Sequence, residues 1–585
     1  MCARSFHGLL GAFVILLVGA GDANSQSILW EKIGPPGTPA SPWTAFGASV
    51  DAGEDVSGDG IPDVLVGASG ASVPLPDQGQ VFVYSGIDGL LLHAVSGTSS
   101  SSFLGMAVLL VGDLNGDGRS EFAANGSTFS SVVNVYSGAD ASLLLGIPAP
   151  VAWPCSGWRP TAVLDLDGNG VPDLALGCPY GSPPGAAGAG IVAVVSGVDG
   201  SPLQVWPGAQ PFDRFGWDVA NAGDLDGDGT PDLLAGAPRF FSFSQAIESG
   251  LSFAPVLSGG SGAPLFTFYP ETGCPTCINP RFGWSVSGGG DLDGDGVPDL
   301  IVGEMWTASA IYPGVAAFSG ATGGRLYNTA DLAGRVVGHL GDVDGDGFGD
   351  FFGTTSDSYF GISGGCVFVG GVIWGCGEVR IHSGQDGSEI FTLVRQGAGA
   401  LGTAAALVGD VDGDEFPEIA VGDSKWWPGF GNQQPGRLTV FSLTPIGVTV
   451  FGGGCPGSSI QVPRIGFRGT PSLGETVRIH LSNASPGASA FLLLGFSSAA
   501  WGGFALPLDL ANFGVPGCSL LVSPDFVLPQ TTAPVPPAPG RASVALEVPS
   551  AAALAGASVF AQWLVTPAGL ASASMTKALE IAIQP

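Results

Sequence analysis

The chain has 585 residues, of which 97 are glycine and 46 are proline. This density of helix-breaking residues excludes a mainly helical protein, while a hydrophobic fraction of 45% is enough to build a buried core. Aspartate and glutamate total 50 against 18 lysine and arginine, and the resulting net charge of −32 argues against nucleic acid as a partner.

The N-terminal segment, residues 1–23, has the pattern of a secretory signal peptide. Arg4 precedes an apolar stretch at 9–20, and small residues follow, so cleavage is expected after Ala20 or Ala23. The apolar stretch is too short to span a bilayer. We therefore expect a secreted or cell-surface protein with no transmembrane segment in the mature chain.

Eight cysteines remain once Cys2 leaves with the signal, and an even number in an exported chain favours disulfides. The CPTC segment at 274–277 is also compatible with a redox or zinc site, although no second CxxC and no nearby histidine supports a metal there. Sequence alone leaves the connectivity open. Proximity along the chain favours the pairs Cys155–Cys178, Cys274–Cys277, Cys366–Cys376 and Cys455–Cys518.

One acidic segment recurs seven times, with its first aspartates 51 to 68 residues apart. An apolar run follows each copy, then an alternating strand, a turn such as Asp88-Gly89 and a short last strand, which predicts the four strands of one propeller blade. The copies are DVSGDGIPDVLVG at 55–67, DLNGDGRSEFAAN at 113–125, DLDGNGVPDLALG at 165–177, DLDGDGTPDLLAG at 224–236, DLDGDGVPDLIVG at 291–303, DVDGDGFGDFFGT at 342–354 and DVDGDEFPEIAVG at 410–422.

The pairs Phe46-Gly47, Phe215-Gly216 and Phe282-Gly283 precede three of these loops. With them, the chain resembles the FG-GAP repeat family, the seven-bladed β-propeller of integrin α-subunit heads and of many bacterial secreted proteins. The resemblance implies an all-β fold with a seven-bladed propeller in residues 24–445. Residues 446–585 lack the acidic loops, and their short alternating strands predict a small C-terminal β-sandwich.

The two ends of the predicted propeller are complementary. Residues 27–33 resemble the last strand of a unit but have no acidic loop before them, while the seventh unit stops after residues 438–442 without its last strand. We expect the N-terminal strand, anchored by Trp30, to complete the seventh blade and remove two exposed sheet edges.

Each acidic loop offers side-chain oxygens at positions 1, 3, 5 and 9 and a carbonyl at position 7. All-oxygen ligation favours Ca²⁺, and the absence of an acid at position 12 argues against an EF-hand. The expected ligands are Asp55, Ser57, Asp59, Ile61 and Asp63; Asp113, Asn115, Asp117, Arg119 and Glu121; Asp165, Asp167, Asn169, Val171 and Asp173; Asp224, Asp226, Asp228, Thr230 and Asp232; Asp291, Asp293, Asp295, Val297 and Asp299; Asp342, Asp344, Asp346, Phe348 and Asp350; and Asp410, Asp412, Asp414, Phe416 and Glu418.

The seven sites are expected to differ in affinity, with up to seven Ca²⁺ ions clipping the blade hairpins. Loops 224–232, 291–299 and 342–350 carry four aspartates each and are the best candidates, whereas the first three loops carry less charge. The seventh has Glu415 where the others have glycine, and a left-handed backbone there costs about 1 kcal/mol.

The function predicted from these features is a non-catalytic adhesion or interaction scaffold with an extracellular protein or glycan as partner. Trp306, Trp374, Trp426 and Trp427 are expected on the face opposite the ions, where aromatic side chains suit recognition; the alternative is that they pack between blades.

The alternative function is a polysaccharide hydrolase or lyase that uses the propeller funnel, with Glu304, Asp357 and Asp423 as candidate acids. The few histidines outside the signal are scattered without a triad or metal pattern, which favours a protein that is not an enzyme. Sequence does not separate adhesion from a structural matrix role, and it leaves the ligand open.

Overall fold

The structure is a computed structural model that describes residues 26–37, 43–126, 132–149, 153, 158–239, 252–271, 281–304, 314–329, 334–355, 367–369, 372–374, 377–395, 399–426, 434–456, 461–533, 540–567 and 573–585. In these ranges the protein is all-β, with two short 3-10 segments and no α-helix. None of the described residues form a helix long and apolar enough to cross a membrane. The predicted signal peptide lies outside the described residues.

Six of the repeated units contribute four antiparallel strands each, paired in chain order, as the repeat predicts. Strand β1 (Ile28–Ile33) precedes them. The first three units contain β2 (Trp43–Glu54), β3 (Asp63–Ala68), β4 (Gln80–Tyr84) and β5 (Leu91–Ser96); β6 (Ala107–Gly112), β7 (Glu121–Asn125), β8 (Val133–Tyr136) and β9 (Leu143–Ile147); and β10 (Arg159–Leu164), β11 (Asp173–Cys178), β12 (Ile191–Val195) and β13 (Pro202–Pro207).

The later units follow the same plan, with a hairpin inserted in the sixth and three strands in the seventh. Their strands are β14 (Val219–Gly223), β15 (Asp232–Ala235), β16 (Ala254–Leu257) and β17 (Pro264–Phe268); β18 (Phe282–Gly290), β19 (Asp299–Glu304), β20 (Val315–Phe318) and β21 (Arg325–Thr329); β22 (Val337–Gly341), β23 (Asp350–Thr354), the inserted β24 (Val367–Val369) and β25 (Val372–Trp374), β26 (Val379–His382) and β27 (Glu389–Leu393); and β28 (Ala404–Gly409), β29 (Glu418–Asp423) and β30 (Gln434–Ser442).

The second strand of each unit is apolar on both faces because it is buried on both faces. In β3, the side chains of Val64, Leu65 and Val66 are all fully buried. The outermost strand β5 instead contains only exposed and half-buried residues. Burial of these continuous apolar runs supplies most of the stabilisation, at about 25 cal/mol per Å² of apolar surface.

The N-terminal strand pairs with the last strand of the seventh unit, as predicted. β1 runs antiparallel to β30, with Trp30 opposite Val440 and Glu31 opposite Thr439. The indole Nε1 of Trp30 donates to the Gly86 carbonyl at 2.7 Å. β30 also pairs in parallel with β2, which joins the first and seventh units in one eight-stranded sheet.

The first strands of the units contact one another in sequence. β2 contacts β6, β6 contacts β10, and the contacts continue through β14, β18, β22 and β28 until β28 contacts β2 again. Side chains satisfy part of each open strand edge: Leu110 N–H donates to Asp51 Oδ2 at 2.7 Å, and Val286 N–H donates to Asp218 Oδ2 at 2.9 Å. These bonds cap backbone groups that strand pairing leaves free.

The C-terminal unit contains two main sheets, of order β31-β42-β41-β34-β39 and β32-β33-β40. Residues of both sheets form one hydrophobic cluster that includes Trp563, Phe467 and Ile479. Its strands are β31 (Val448–Phe451), β32 (Arg464–Arg468), β33 (Thr476–Ala484), β34 (Ser489–Gly495), β35 (Ala500–Trp501), β36 (Phe504–Ala505), β37 (Leu508–Asp509), β38 (Ser519–Leu520), β39 (Phe526–Thr531), β40 (Gly540–Glu547), β41 (Ser558–Thr566) and β42 (Ser574–Ala582), with 3-10 segments at Ala511–Phe513 and Ala552–Leu554.

One of the four predicted disulfides is present in full within the described residues. Cys455 and Cys518 are bonded, with their Cα atoms 5.3 Å apart. Cys178 is also disulfide-bonded. The remaining cysteines of the predicted pairs lie outside the described residues: Cys155, Cys274, Cys277, Cys366 and Cys376.

Candidate metal-binding loops

The acid at position 9 of each loop begins the second strand of its unit and is fully buried. In the fourth loop, Asp232 Oδ2 accepts the N–H of Leu225 at 2.8 Å, and Asp232 Oδ1 accepts the N–H of Gly259 at 3.0 Å. Gly259 belongs to the Ser-Gly turn after the third strand, so the acid ties that turn to the loop. The seven acids are Asp63, Glu121, Asp173, Asp232, Asp299, Asp350 and Glu418.

The carboxylate at position 1 accepts hydrogen bonds from backbone N–H groups of its own loop. Asp224 Oδ1 accepts the N–H of Gly227 at 2.8 Å, and Oδ2 accepts the N–H of Gly229 at 2.9 Å. Both glycines have left-handed backbones, with φ of +74° and +88°. Only glycine adopts these angles without strain. At the position equivalent to Gly229, Glu415 of the seventh loop has φ of +77°, the strained conformation expected from sequence.

Five of the seven loops bring three carboxylates together, with one oxygen from each within 4.8 Å of the others. Such trios suit a metal ion because like charges held this close repel one another unless a cation lies between them. They are Asp165, Asp167 and Asp173; Asp224, Asp226 and Asp232; Asp291, Asp293 and Asp295; Asp342, Asp344 and Asp350; and Asp410, Asp412 and Glu418.

The first two loops gather no such trio within the described part of the chain. Their non-acidic residue at position 3 donates to a neighbouring carboxylate instead: Ser57 Oγ donates to Asp55 Oδ1 at 3.2 Å, and Asn115 Nδ2 donates to Glu121 Oε1 at 2.9 Å. These two loops are therefore less suited to a cation than the other five.

Burial raises the pKa of every position 9 acid. It raises the pKa of Asp63 and Asp299 to about 6 and that of Glu418 to about 8. Asp346 Oδ2 and Glu418 Oε1 are buried without a hydrogen-bond partner. In the seventh unit Leu443 replaces the turn glycine that supplies an N–H elsewhere. A hard divalent cation would satisfy these oxygens, so the residues fit such an ion.

A family model described as FG-GAP repeat matches this chain at residues 46–84, 156–195, 215–247 and 282–312. Four segments of the chain are thus similar to the FG-GAP repeat. The matched segments include the first, third, fourth and fifth acidic loops.

Integrin α-subunits are among the similar curated proteins. Integrin alpha-V of Gallus gallus is 29% identical over 38% of this chain and 22% of its own length. Integrin alpha-7 of Mus musculus is 34% identical over 26% of this chain and 12% of its own length. This chain thus spans about a fifth or less of the length of these relatives. A crystal structure of BBS1N in complex with ARL6DN aligns with 72% of this chain at 11% identity and a TM-score of 0.43, a weak likeness.

The C-terminal unit contacts the sixth and seventh acidic loops directly. Arg464 Nη1 donates to the Asp342 carbonyl at 2.9 Å, and Arg468 pairs with Asp344 at 3.4 Å. Lys577 pairs with Glu415 of the seventh loop at 3.2 Å. As a result Asp344 is buried, whereas its counterpart Asp226 in the fourth loop is exposed.

Only the sixth and seventh loops have phenylalanine at position 7, namely Phe348 and Phe416. Phe416 is 2% exposed and packs in the hydrophobic cluster of the C-terminal unit with Ile465. The guanidinium of Arg541 lies 4.0 Å from the centroid of the Phe348 ring. The other five loops carry Ile, Arg, Val, Thr or Val at this position. In the sequence analysis, position 7 was considered only for its backbone carbonyl as a metal ligand. The phenylalanine side chains, which contact the C-terminal unit, were overlooked.

The four tryptophans predicted on a ligand face are only partly described. Trp426 is half-buried, and the guanidinium of Arg437 lies 5.2 Å from its ring centroid. Trp374 ends β25, but its side chain lies outside the described part, as do Trp306 and Trp427 altogether. Their role in binding stays a prediction.

A different pair of tryptophans forms an aromatic contact between the fourth and fifth units. The ring centroids of Trp217 and Trp284 are 4.4 Å apart, and Arg159 lies 5.5 Å from the Trp217 ring. Each tryptophan directly follows an FG pair, at Phe215-Gly216 and Phe282-Gly283. The recurring FGW triplet was the available signal for this contact, which sequence reasoning overlooked.

The two candidate catalytic acids that the structure describes are Glu304 and Asp423. Asp423 is 1% exposed and accepts a hydrogen bond from Arg437 Nη2 at 2.9 Å. Burial raises the pKa of Glu304 to about 7. Asp357 lies outside the described residues. Asp423 is therefore a buried ion-pair partner rather than the free acid expected from sequence.

Proposed function

We propose that this chain is a calcium-stabilised, non-catalytic interaction scaffold that works outside the cell or at its surface. The observation that carries the proposal is the gathering of three carboxylates within 4.8 Å in five FG-GAP loops, each beside or including a fully buried position 9 acid. Calcium suits these sites because it accepts several oxygen ligands in flexible geometry.

The chain's own residues prepare the sites before an ion arrives. The position 1 acid holds the loop through two glycine N–H groups, and the position 9 acid holds the hairpin to the Ser-Gly turn. The residues at positions 1, 3, 5 and 9, with the carbonyl at position 7, would hold the ion. A bound Ca²⁺ would supply the positive charge that the buried carboxylates lack, and its role is structural.

We further propose that the seven units form a closed seven-bladed propeller and that residues 446–585 form a β-sandwich. The run of contacts from β2 through β28 and back to β2 supports the ring, as does the pairing of β1 with β30. The hydrophobic cluster shared by the two C-terminal sheets supports the sandwich.

The interaction role rests on the FG-GAP repeats and on similarity to proteins named as integrin α-subunits. Export rests on the N-terminal pattern. An extracellular protein or glycan is the proposed class of partner. A hydrolase or lyase is the weaker alternative, because Asp423 is held by Arg437.

Thermal unfolding of the full chain with calcium and with EDTA tests the proposal. Because calcium binds the native loops, saturation a hundredfold above Kd adds about 2.7 kcal/mol per site and raises Tm. The double variant Asp226→Asn, Asp228→Asn should reduce the calcium-dependent rise, while Asp199→Asn, in a hairpin turn outside the loops, should not. Equal Tm values in calcium and EDTA would refute structural calcium.

A further inference from the structure

A cavity of about 700 Å³ separates the FG-GAP loops 291–299 and 342–350 from strands β33 and β40 of the C-terminal unit. Small-molecule sites usually measure about 300–1,000 Å³. Arginines line one wall, namely Arg468, Arg478 and Arg541; aspartates line the other, namely Asp293, Asp346 and Asp386. The cavity therefore has positively and negatively charged side chains in its lining, and it is large enough for a small ligand.

Arg541 lines this cavity and lies against both acidic loops. A Cβ on Gly294 would lie 2.5 Å from Arg541 Nη1, and a Cβ on Gly347 would collide with Arg541 Nε. The guanidinium carbon of Arg541 lies 4.0 Å from the centroid of the Phe348 ring, a cation–π contact. Its buried Nε has no hydrogen-bond partner among the described residues.

The three arginines differ in whether a carboxylate of the protein forms an ion pair with them. Arg468 pairs with Asp344 at 3.4 Å and donates to Ser388 Oγ at 2.6 Å. Arg478 and Arg541 form no ion pair within the described residues. Asp342 and Asp346 attract Arg541 at longer range, and Asp386 attracts Arg478, so a bound anion would supply the close carboxylate contacts that these two arginines lack.

Neutral hydrogen-bonding groups complete the lining. His480 is 6% exposed, and its Nε2 has no partner. Burial, together with Arg468 and Arg478, lowers the pKa of His480 to about 3, so its ring is neutral. Gln385 and Ser543 also line the cavity. Amide, hydroxyl and imidazole groups suit the hydroxyls of a sugar better than an apolar ligand.

We propose that this cavity binds a short acidic oligosaccharide, with Arg541 and Arg478 donating to its carboxylates and His480, Gln385 and Ser543 contacting its hydroxyls. Calcium in the two adjoining loops would strengthen binding, because it cancels the negative charge of Asp293 and Asp346 that faces the ligand. Only this calcium dependence rests on the function proposed above.

Isothermal titration of the full chain in millimolar calcium tests the site, with trigalacturonate as the acidic probe and maltotriose as its neutral counterpart. We expect binding of trigalacturonate alone. Arg541→Gln should weaken it about tenfold or more, as expected for loss of a charge-assisted hydrogen bond. Arg380→Gln, on strand β26 and outside the cavity lining, should change Kd less than about twofold.

Arg478→Gln keeps the test independent of folding, because Arg478 is exposed. This variant should also weaken trigalacturonate binding. The site is refuted if wild type binds no trigalacturonate, if maltotriose binds equally, or if neither arginine variant weakens binding. A calcium-dependent Tm without sugar binding refutes this site alone, whereas sugar binding that is unaffected by EDTA refutes only its calcium dependence.

Discussion

Gly345 of the sixth acidic loop packs directly against Gly466 of strand β32, so closely that a Cβ on Gly345 would collide with the Gly466 Cα. This contact leaves no room for any side chain between the repeat units and the C-terminal unit. Together with the ion pair of Arg468 and Asp344, this packing makes the sixth loop part of the contact between the repeat units and the C-terminal unit.

Replacing Gly466 with alanine should disturb this contact. A Cβ on Gly466 would collide with the Asp344 carbonyl, and such overpacking costs about 1–3 kcal/mol. We expect a lower Tm and, in calorimetry, separation of one unfolding transition into two. Gly453→Ala is the matched control, since a Cβ on Gly453 meets no atom within 4 Å. Equal effects of the two variants would contradict the prediction.

Phe416 should contribute strongly to the stability of the C-terminal unit although it belongs to the seventh loop. Because it is 2% exposed in that unit's core, Phe416→Ala should lower the free energy of unfolding by about 3–5 kcal/mol in urea titration. Phe513→Ala is the control, since Phe513 is 65% exposed. A loss below about 1 kcal/mol would show that the two parts do not share this core.

Glu415→Gly should relieve strain in the seventh loop. The residue has φ of +77°, which disfavours any side chain by about 1 kcal/mol. The substitution also removes the ion pair with Lys577, so the comparison belongs in a Lys577→Ala background. In that background we expect Glu415→Gly to raise the free energy of unfolding by about 1 kcal/mol, measured by urea titration. A destabilised Glu415→Gly variant would show that the side chain has a further role.

The sequence predicted this architecture well because its signals are local. Ligand spacing, glycine positions and the strand order of each unit depend on residues close together in the chain, and even the unfavourable backbone of Glu415 was visible. The contact between the C-terminal unit and loops six and seven was not predicted, because it joins residues far apart, such as Gly345 and Gly466. Phe348 and Phe416 look like ordinary loop residues until their partners are known.

Without calcium, the protein should lose stability as pH rises from 5 to 8. Burial raises the pKa of Asp51, Asp218 and Asp299 to about 6 and that of Glu418 to about 8. The native state therefore binds more protons than the unfolded state above about pH 4, and stability present at low pH is lost as pH rises through these values.

Tm measured in EDTA across this range checks the prediction, and calcium should restore Tm most at pH 8, where the carboxylates are ionised. Asp51→Asn should flatten the EDTA profile, because the amide stays neutral and its oxygen can still accept the N–H of Leu110. Asp199→Asn, which replaces an exposed turn residue, should leave the profile unchanged. A Tm in EDTA that rises toward pH 8 would mean that these carboxylates are charged and stabilised in the native protein, and the need for a cation at the buried acids would disappear.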